Sequence, residues 1–190
     1  MPVEPQDPLT RARLSASIDV FEAFEAVRLA PLVDLASLQV AQDVFVADLA
    51  CYPPSLRACW AKIAYLCAGF PEGVTLYRGL CEDAWHPVGY AAWHPFQVAL
   101  LDHPWPAIVP IDRAGGGTYL FNYSVVPSLI GSPLAATLTR QLDGELPERT
   151  YLAADTVSEH GRRVARRWGM APHERRIVDG ASWELWVRRG

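Results

Sequence analysis

The stretch best equipped for chemistry is Ser124-Val125-Val126-Pro127-Ser128-Leu129-Ile130-Gly131-Ser132-Pro133-Leu134-Ala135-Ala136-Thr137-Leu138. A strand-like run stops at a proline, crosses a loop of small residues and enters a helix-forming run. Ser132 is a good N-cap, and Pro133 falls at the first helical position, where a missing N–H costs the helix nothing. The amides of Leu134, Ala135 and Ala136 would then leave the helix start without intrahelical partners. Together with the positive end of the helix dipole they make a site for an anion such as a pyrophosphate. Small side chains at Gly131, Ser132 and Ala135 let such a group approach the backbone. The same pattern also serves as a capped turn that binds nothing.

Other reactive side chains are scattered. There is no phosphate loop of the Walker type, no G-x-S-x-G, no H-E-x-x-H and no paired metal-ligand spacing, so no metal site is expected. Cys51, Cys59, Cys67 and Cys81 form no C-x-x-C pair, and the spacing of eight among the first three suits one helical face of buried free thiols. Arg162, Arg163, Arg166 and Arg167 crowd one helical stretch, where a solvated face with i,i+4 partners is the default. Glu82 and Asp83 sit in a hairpin turn. Trp85, Trp93 and Trp105 fall in or beside a proline-rich stretch, either lining a pocket or packing that stretch onto a sheet.

The elements that must position these groups follow from patterning. Phe21 to Ala26 reads as a short helix, and Val27 to Leu32 as a first strand ended by proline. Asp34 caps a helix from about Leu35 to Ala50, with Leu38, Ala41, Phe45 and Leu49 on its apolar face. Pro53-Pro54 breaks it, and Ser55 caps a second helix from Leu56 to about Ala68, with Cys59, Ile63, Leu66 and Cys67 facing inward. Thr75 to Leu80 and Val88 to Trp93 pair around a turn from Asp83 to Pro87. Tyr119 to Val126 is a strand rich in aromatic and β-branched residues, and Pro133 to Leu142 a helix. Thr150 to Ala154 is a strand, Ser158 to Trp168 a helix stopped at Gly169, and Arg175 to Val178 with Ser182 to Arg188 a closing strand pair. The order is β, α, α, β, β, β, α, β, α, β, β.

Composition sets the frame. The chain has 190 residues, 51% hydrophobic and 20% charged, with a net charge of −4. That is ordinary globular composition, with no nucleic-acid partner indicated. Sixteen of the seventeen basic residues are Arg and one is Lys62. Residues 1–13 read as a flexible arm broken by Pro2, Pro5 and Pro8. Residues 14–190 read as one domain with an irregular proline-rich insertion at 95–117. No basic start leads an apolar run and no apolar run is long enough to span a bilayer, so a cytoplasmic protein without a membrane partner is expected.

Between about residues 26 and 188 the chain resembles the GCN5-related N-acyltransferases. That family carries V-x-P-x-x-[RQ]-G-x-G-[IL]-[GA]-x-x-L between a strand and a helix, and Val125, Pro127, Gly131, Leu134, Ala135 and Leu138 match in register. The resemblance implies an α/β fold, a twisted mixed sheet of about six or seven strands flanked by about four helices. It implies acetyl-CoA or another acyl-CoA as co-substrate, held by Gly131, Ser132, Leu134, Ala135 and Ala136. The thioester would lie against the backbone of Val125 and Val126, and Ser158 would reach a cofactor amide or serve only as an N-cap. The implied reaction is direct attack of a primary amine of a small-molecule or amino-acid-like acceptor on the thioester. Tyr123 as acid or substrate contact and His94 as base are the catalytic candidates.

Departures from the family pattern are equally informative. Ile130 replaces the loop Arg or Gln, Pro133 replaces the second glycine, and Ala165 stands where the family often has a tyrosine that protonates the leaving thiolate. These leave open a transferase using an acyl carrier protein as donor, or a non-catalytic domain that binds a ligand or protein. Edge strands of the fold also leave a homodimer open.

Overall fold

The computed structural model describes residues 21–31, 34–54, 57–95, 117–145, 151–156, 158–178 and 180–189. Their elements run β1 (Ala23–Arg28), α1 (Leu35–Cys51), α2 (Trp60–Gly69), β2 (Val74–Cys81), β3 (Ala84–Pro95), β4 (Gly117–Val125), α3 (Pro133–Glu145), β5 (Tyr151–Thr156), α4 (Glu159–Arg167), β6 (Ala171–Val178) and β7 (Ala181–Arg189). This is the order expected from the sequence. Hydrogen-bonded neighbours follow β1-β2-β3-β4-β5-β7-β6. The β4–β5 pair is parallel, while β1–β2, β2–β3, β5–β7 and β6–β7 are antiparallel. The sheet is thus mixed, with four α-helices among the described residues. None of those helices is long and apolar enough to cross a membrane. The insertion at 95–117, with Trp105, lies almost wholly outside the described residues, as do Ser55 and the arm at 1–13.

The described residues fall into two compact units. One holds residues up to Ala92 with Tyr123–Leu138; the other holds those of Trp93–Asn122 and Thr139–Gly190. In the first, the meander β1-β2-β3 packs with α1 and α2. The helix expected at Phe21 to Ala26 is instead part of β1, which pairs with β2 from Ala23↔Leu80 to Arg28↔Thr75. Helix α1 starts where expected: the Ser37 amide donates to Asp34 Oδ1 at 2.8 Å and the Asp34 amide to Ser37 Oγ at 3.3 Å, a capping box. Its buried face is Ser37, Ala41, Val44, Ala47 and Asp48, whereas Leu38 is exposed. The inward stripe is therefore rotated from the expected one.

That rotation is explained by a buried polar node. Asp48, 1% exposed, accepts the Tyr90 hydroxyl at 2.7 Å and the Ala58 amide at 2.8 Å. Burial pushes the Asp48 carboxyl above its ordinary value, and the bonds from Tyr90 and Ala58 work against that push. With Ala58 held in this way, α2 begins at Trp60 with Cys59 as its N-cap, later than Leu56. The three evenly spaced cysteines consequently lie on two elements. Cys67 is buried, Cys51 is half-buried at the end of α1, and Cys59 is exposed; all are free thiols.

The β2–β3 hairpin turns on Glu82 and Asp83 alone, with φ of 51° and 60°. These left-handed values match a two-residue turn whose twist follows the strands. Pro87, expected to end a longer turn, lies inside β3 beside a register shift: Tyr77 faces Gly89 while Arg78 faces Pro87. A bulge accommodates a proline that an unbroken ladder would not.

In the second unit β7 lies between β5 and β6. Helix α4 is capped by Ser158, whose Oγ accepts the Gly161 amide at 2.9 Å, and ends at Gly169 with φ of 69°. Trp168 is buried and its indole N–H donates to the Thr139 carbonyl at 3.1 Å.

Candidate active site

The loop between β4 and α3 is built within the first unit. Val126 donates its amide to Val88 O at 2.8 Å, and its carbonyl accepts the Leu129 amide at 2.9 Å. A 3-10 turn, Pro127–Leu129, buries Leu129 and leads to Gly131 at φ 84°, where a side chain would meet open space. The left-handed backbone at Gly131 suits glycine and turns the chain into α3. Pro133 begins that 13-residue helix.

Donors at this helix start are fewer than the sequence suggests. Ser132 Oγ accepts the Ala135 amide at 3.1 Å, and the Ser132 carbonyl accepts the Ala136 amide at 3.2 Å as the first helical bond. The Ser132 amide donates to Leu129 O at 3.0 Å. Of the three amides expected to point outward, Leu134 alone has no protein acceptor among the described residues, and Gly131 supplies a second such amide. The correction has a simple cause: a good N-cap satisfies one of the orphan donors it flanks.

Val125 and Val126 also differ in what they offer. Both backbone groups of Val126 are engaged and its side chain is fully buried, so it shapes the turn. Because the Val126 amide faces β3, the alternation of an extended chain turns the Val125 backbone groups to the opposite edge. Strand β3 comes unusually close here: a Cβ on Gly89 would stand 2.3 Å from the Ser124 carbonyl oxygen and 2.9 Å from Val125 Cα. In the second unit, the parallel ladder of β4 with β5 runs from Gly117↔Tyr151 to Leu120↔Ala154. It therefore covers four of the nine residues of β4.

The catalytic candidates fall in different surroundings. Tyr123, half-buried, donates its hydroxyl to the Ala135 carbonyl at 3.1 Å. His94, 4% exposed near the end of β3, lies with its ring 5.5 Å from that of Tyr119. Ser158 is exposed and caps α4. Ala165 is buried and offers no proton. Burial pushes the Cys51 thiol up to about 12, against the pull of the Ser124 hydroxyl beside it, so it is not a thiolate near neutrality. Glu82 and Asp83 are exposed in their turn.

Two features escaped sequence reading because they join distant residues. The first is the Asp48–Tyr90 bond. The second is a cleft of about 510 Å³ in the second unit, among Arg162, Arg166, His173, Arg175, Glu184 and Trp186. Its arginines are engaged. Glu184, 7% exposed, accepts from Arg162 Nε at 2.8 Å and from Arg175. Arg166 lies over Trp186 at 5.4 Å from the ring centre and pairs with Glu159 at 3.3 Å. Arg175, then Arg162, hold the Glu184 carboxyl below its ordinary value against the opposing effect of its desolvation.

No protein-family model matches the chain, and no curated relative does. Solved structures do. The loading GNATL domain of CurA from Lyngbya majuscula superposes at a TM-score of 0.62 with 14% identity, over 88% of this chain and 98% of that one. Mosquito arylalkylamine N-acetyltransferase like 5b gives 0.58 and 13%, over 88% and 100%. The GphF GNAT-like decarboxylase, solved with isobutyryl-CoA, gives 0.57 and 13%, over 88% and 98%. At such identities the likeness is one of fold, and the fold of this chain is that of the GCN5-related N-acetyltransferases, in divergent form.

Proposed function

We propose that this protein is an acyl-CoA-dependent N-acyltransferase, acting on a primary amine of a small-molecule or amino-acid-like acceptor. The observation that carries the reading is the start of α3. The left-handed Gly131 opens the approach, and the Gly131 and Leu134 amides have no protein acceptor among the described residues, at the positive end of a 13-residue helix. These amides would hold the diphosphate of an acyl-CoA, with Ser132 fixing the turn. The Val125 backbone would hold the pantetheine arm and thioester. The acyl-CoA supplies an activated thioester carbonyl. The structures of similar fold include an arylalkylamine N-acetyltransferase-like protein and a protein solved with isobutyryl-CoA, which supports both halves of the reading.

A neutral amine attacks the carbonyl carbon, the thioester C–S bond breaks, and the proton lost by the amine ends on the leaving sulfur. Position 165 is alanine and offers no proton, and the Tyr123 hydroxyl donates to the Ala135 carbonyl. His94 is the side chain proposed from the sequence to take the proton from the amine. The test is to incubate the protein with acetyl-CoA and a panel of primary amines, following loss of the thioester absorbance and the mass of acylated product. Product with any amine, lost in His94→Ala, supports the reading. Binding of acyl-CoA without product across the panel would favour a non-catalytic domain.

One observation favours a second donor. Pro133 removes an amide, and Ser132 occupies another. A site with two remaining amides suits a carrier-protein phosphopantetheine, which bears one phosphate and no adenosine. Faster turnover with an acyl carrier protein than with acyl-CoA would identify it.

A further inference from the structure

Two of the hydrogen bonds on Ala135 single out a residue whose task differs from proton transfer. Ala135 is buried, with its amide on Ser132 Oγ and its carbonyl on the Tyr123 hydroxyl, both at 3.1 Å. Ser132 lies in the loop itself, so its bond closes the turn locally. Tyr123 lies on β4, twelve residues away in sequence, so its bond ties the first turn of α3 to the strand that leads into the loop. Leu134, with its outward amide, is bonded covalently to the residue clamped in this way.

We propose that Tyr123 is a positioning residue for the donor: its hydroxyl fixes the first turn of α3 so that the Gly131 and Leu134 amides converge on a diphosphate. The inference rests on the acyl-CoA reading above. A carbonyl within a helix accepts its normal i+4 amide and still has a lone pair for an outside donor, so the Tyr123 bond adds to the helix without replacing a helical bond. Phenylalanine would keep the ring and its packing, and would remove the hydroxyl with its tie to Ala135. The first turn would then sample other orientations, and the loss would fall on ligands that carry the diphosphate.

The test is calorimetric titration of wild type and Tyr123→Phe with CoA and with pantetheine, which has the same arm and no phosphate. A net hydrogen-bond contribution of ordinary size predicts CoA binding weakened about three- to tenfold in the variant. Pantetheine affinity should be unchanged, and in any acyl transfer the KM for acyl-CoA should rise with kcat kept. Equal CoA affinity in the two proteins would overturn the proposal, as would equal loss of CoA and pantetheine, which marks a general structural role. A kcat loss at unchanged CoA affinity would return Tyr123 to proton transfer. Wild type that binds no CoA would remove the acyl-CoA reading itself.

Discussion

Gly89→Ala tests the geometry that places Val125. Gly89 sits in β3 where the backbone of β4 approaches so closely that a Cβ would lie 2.3 Å from the Ser124 carbonyl oxygen and 2.9 Å from Val125 Cα. Ordinary contact begins near 3.4 Å, so the strands must part by roughly 1 Å to admit a methyl group. Both atoms belong to backbone, and no side-chain rotation relieves the clash. Overpacking of this kind costs about 2–3 kcal/mol. In a chain of this length that lowers Tm by about 4–12 °C. Since Val125 and the turn after it move with β4, CoA affinity should fall by about tenfold or more, in line with the sensitivity of sites to displacements of about 1 Å. Thermal melting by circular dichroism and a CoA titration measure the two effects. Gly144→Ala is the control: it lies in α3, its Cβ meets nothing within 4 Å, and it should hold or raise Tm. A Gly89→Ala protein that melts within a degree of wild type and binds CoA equally would refute the close approach and the placement of Val125 built on it.

Three further outcomes are expected. Asp48→Ala removes the buried carboxylate to which the Tyr90 hydroxyl donates and should cost about 2–4 kcal/mol; adding Tyr90→Phe should recover part of that loss, and strict additivity in chemical denaturation would dissolve the node. Because Glu184 is held below its ordinary value of 4.5, mainly by Arg175, its stabilisation is present above that value and is lost as pH falls through its lower folded value. Glu184→Gln should therefore flatten the acid limb of Tm against pH, and an unchanged slope would argue against the pairing. Ile130→Arg restores a basic side chain at the loop, and should tighten CoA about three- to tenfold at low salt, less at high salt; equal affinity at both salts would mean the diphosphate does not pass this residue.

How far the sequence reaches depends on the distance over which each feature is encoded. The start of α1 is local, with Asp34 and Ser37 three residues apart, and was legible. So was the loop from Val125 to Leu138, whose proline, glycine and N-cap each act on their neighbours. Segment 21–28 was misread at its start because Phe21, Phe24 and Val27 repeat at helical spacing among helix-tolerant Glu and Ala. Six pairings with β2 override that local preference. The inward face of α1 could not be read because Asp48 is drawn in by Tyr90, 42 residues away. The start of α3 offers fewer free amides than its sequence pattern implies, because the Ala135 and Ala136 amides are both engaged by Ser132. Ser132 is legible as a cap, and the Ala135 amide that it consumes is one of those the same pattern offers to a ligand. Gly89 carried no signal, since only the arrival of β4 makes its missing side chain necessary.

The central claim is that the start of α3 holds the diphosphate of an acyl-CoA. Its most direct measurement is a calorimetric titration of the purified protein with CoA and acetyl-CoA, beside Ser132→Glu, which sets a carboxylate at the helix start. The account predicts saturable one-site binding by wild type, weakened by added salt and abolished in Ser132→Glu while that variant still melts cooperatively. Failure of wild type to bind any CoA, or undiminished binding by Ser132→Glu, would contradict it.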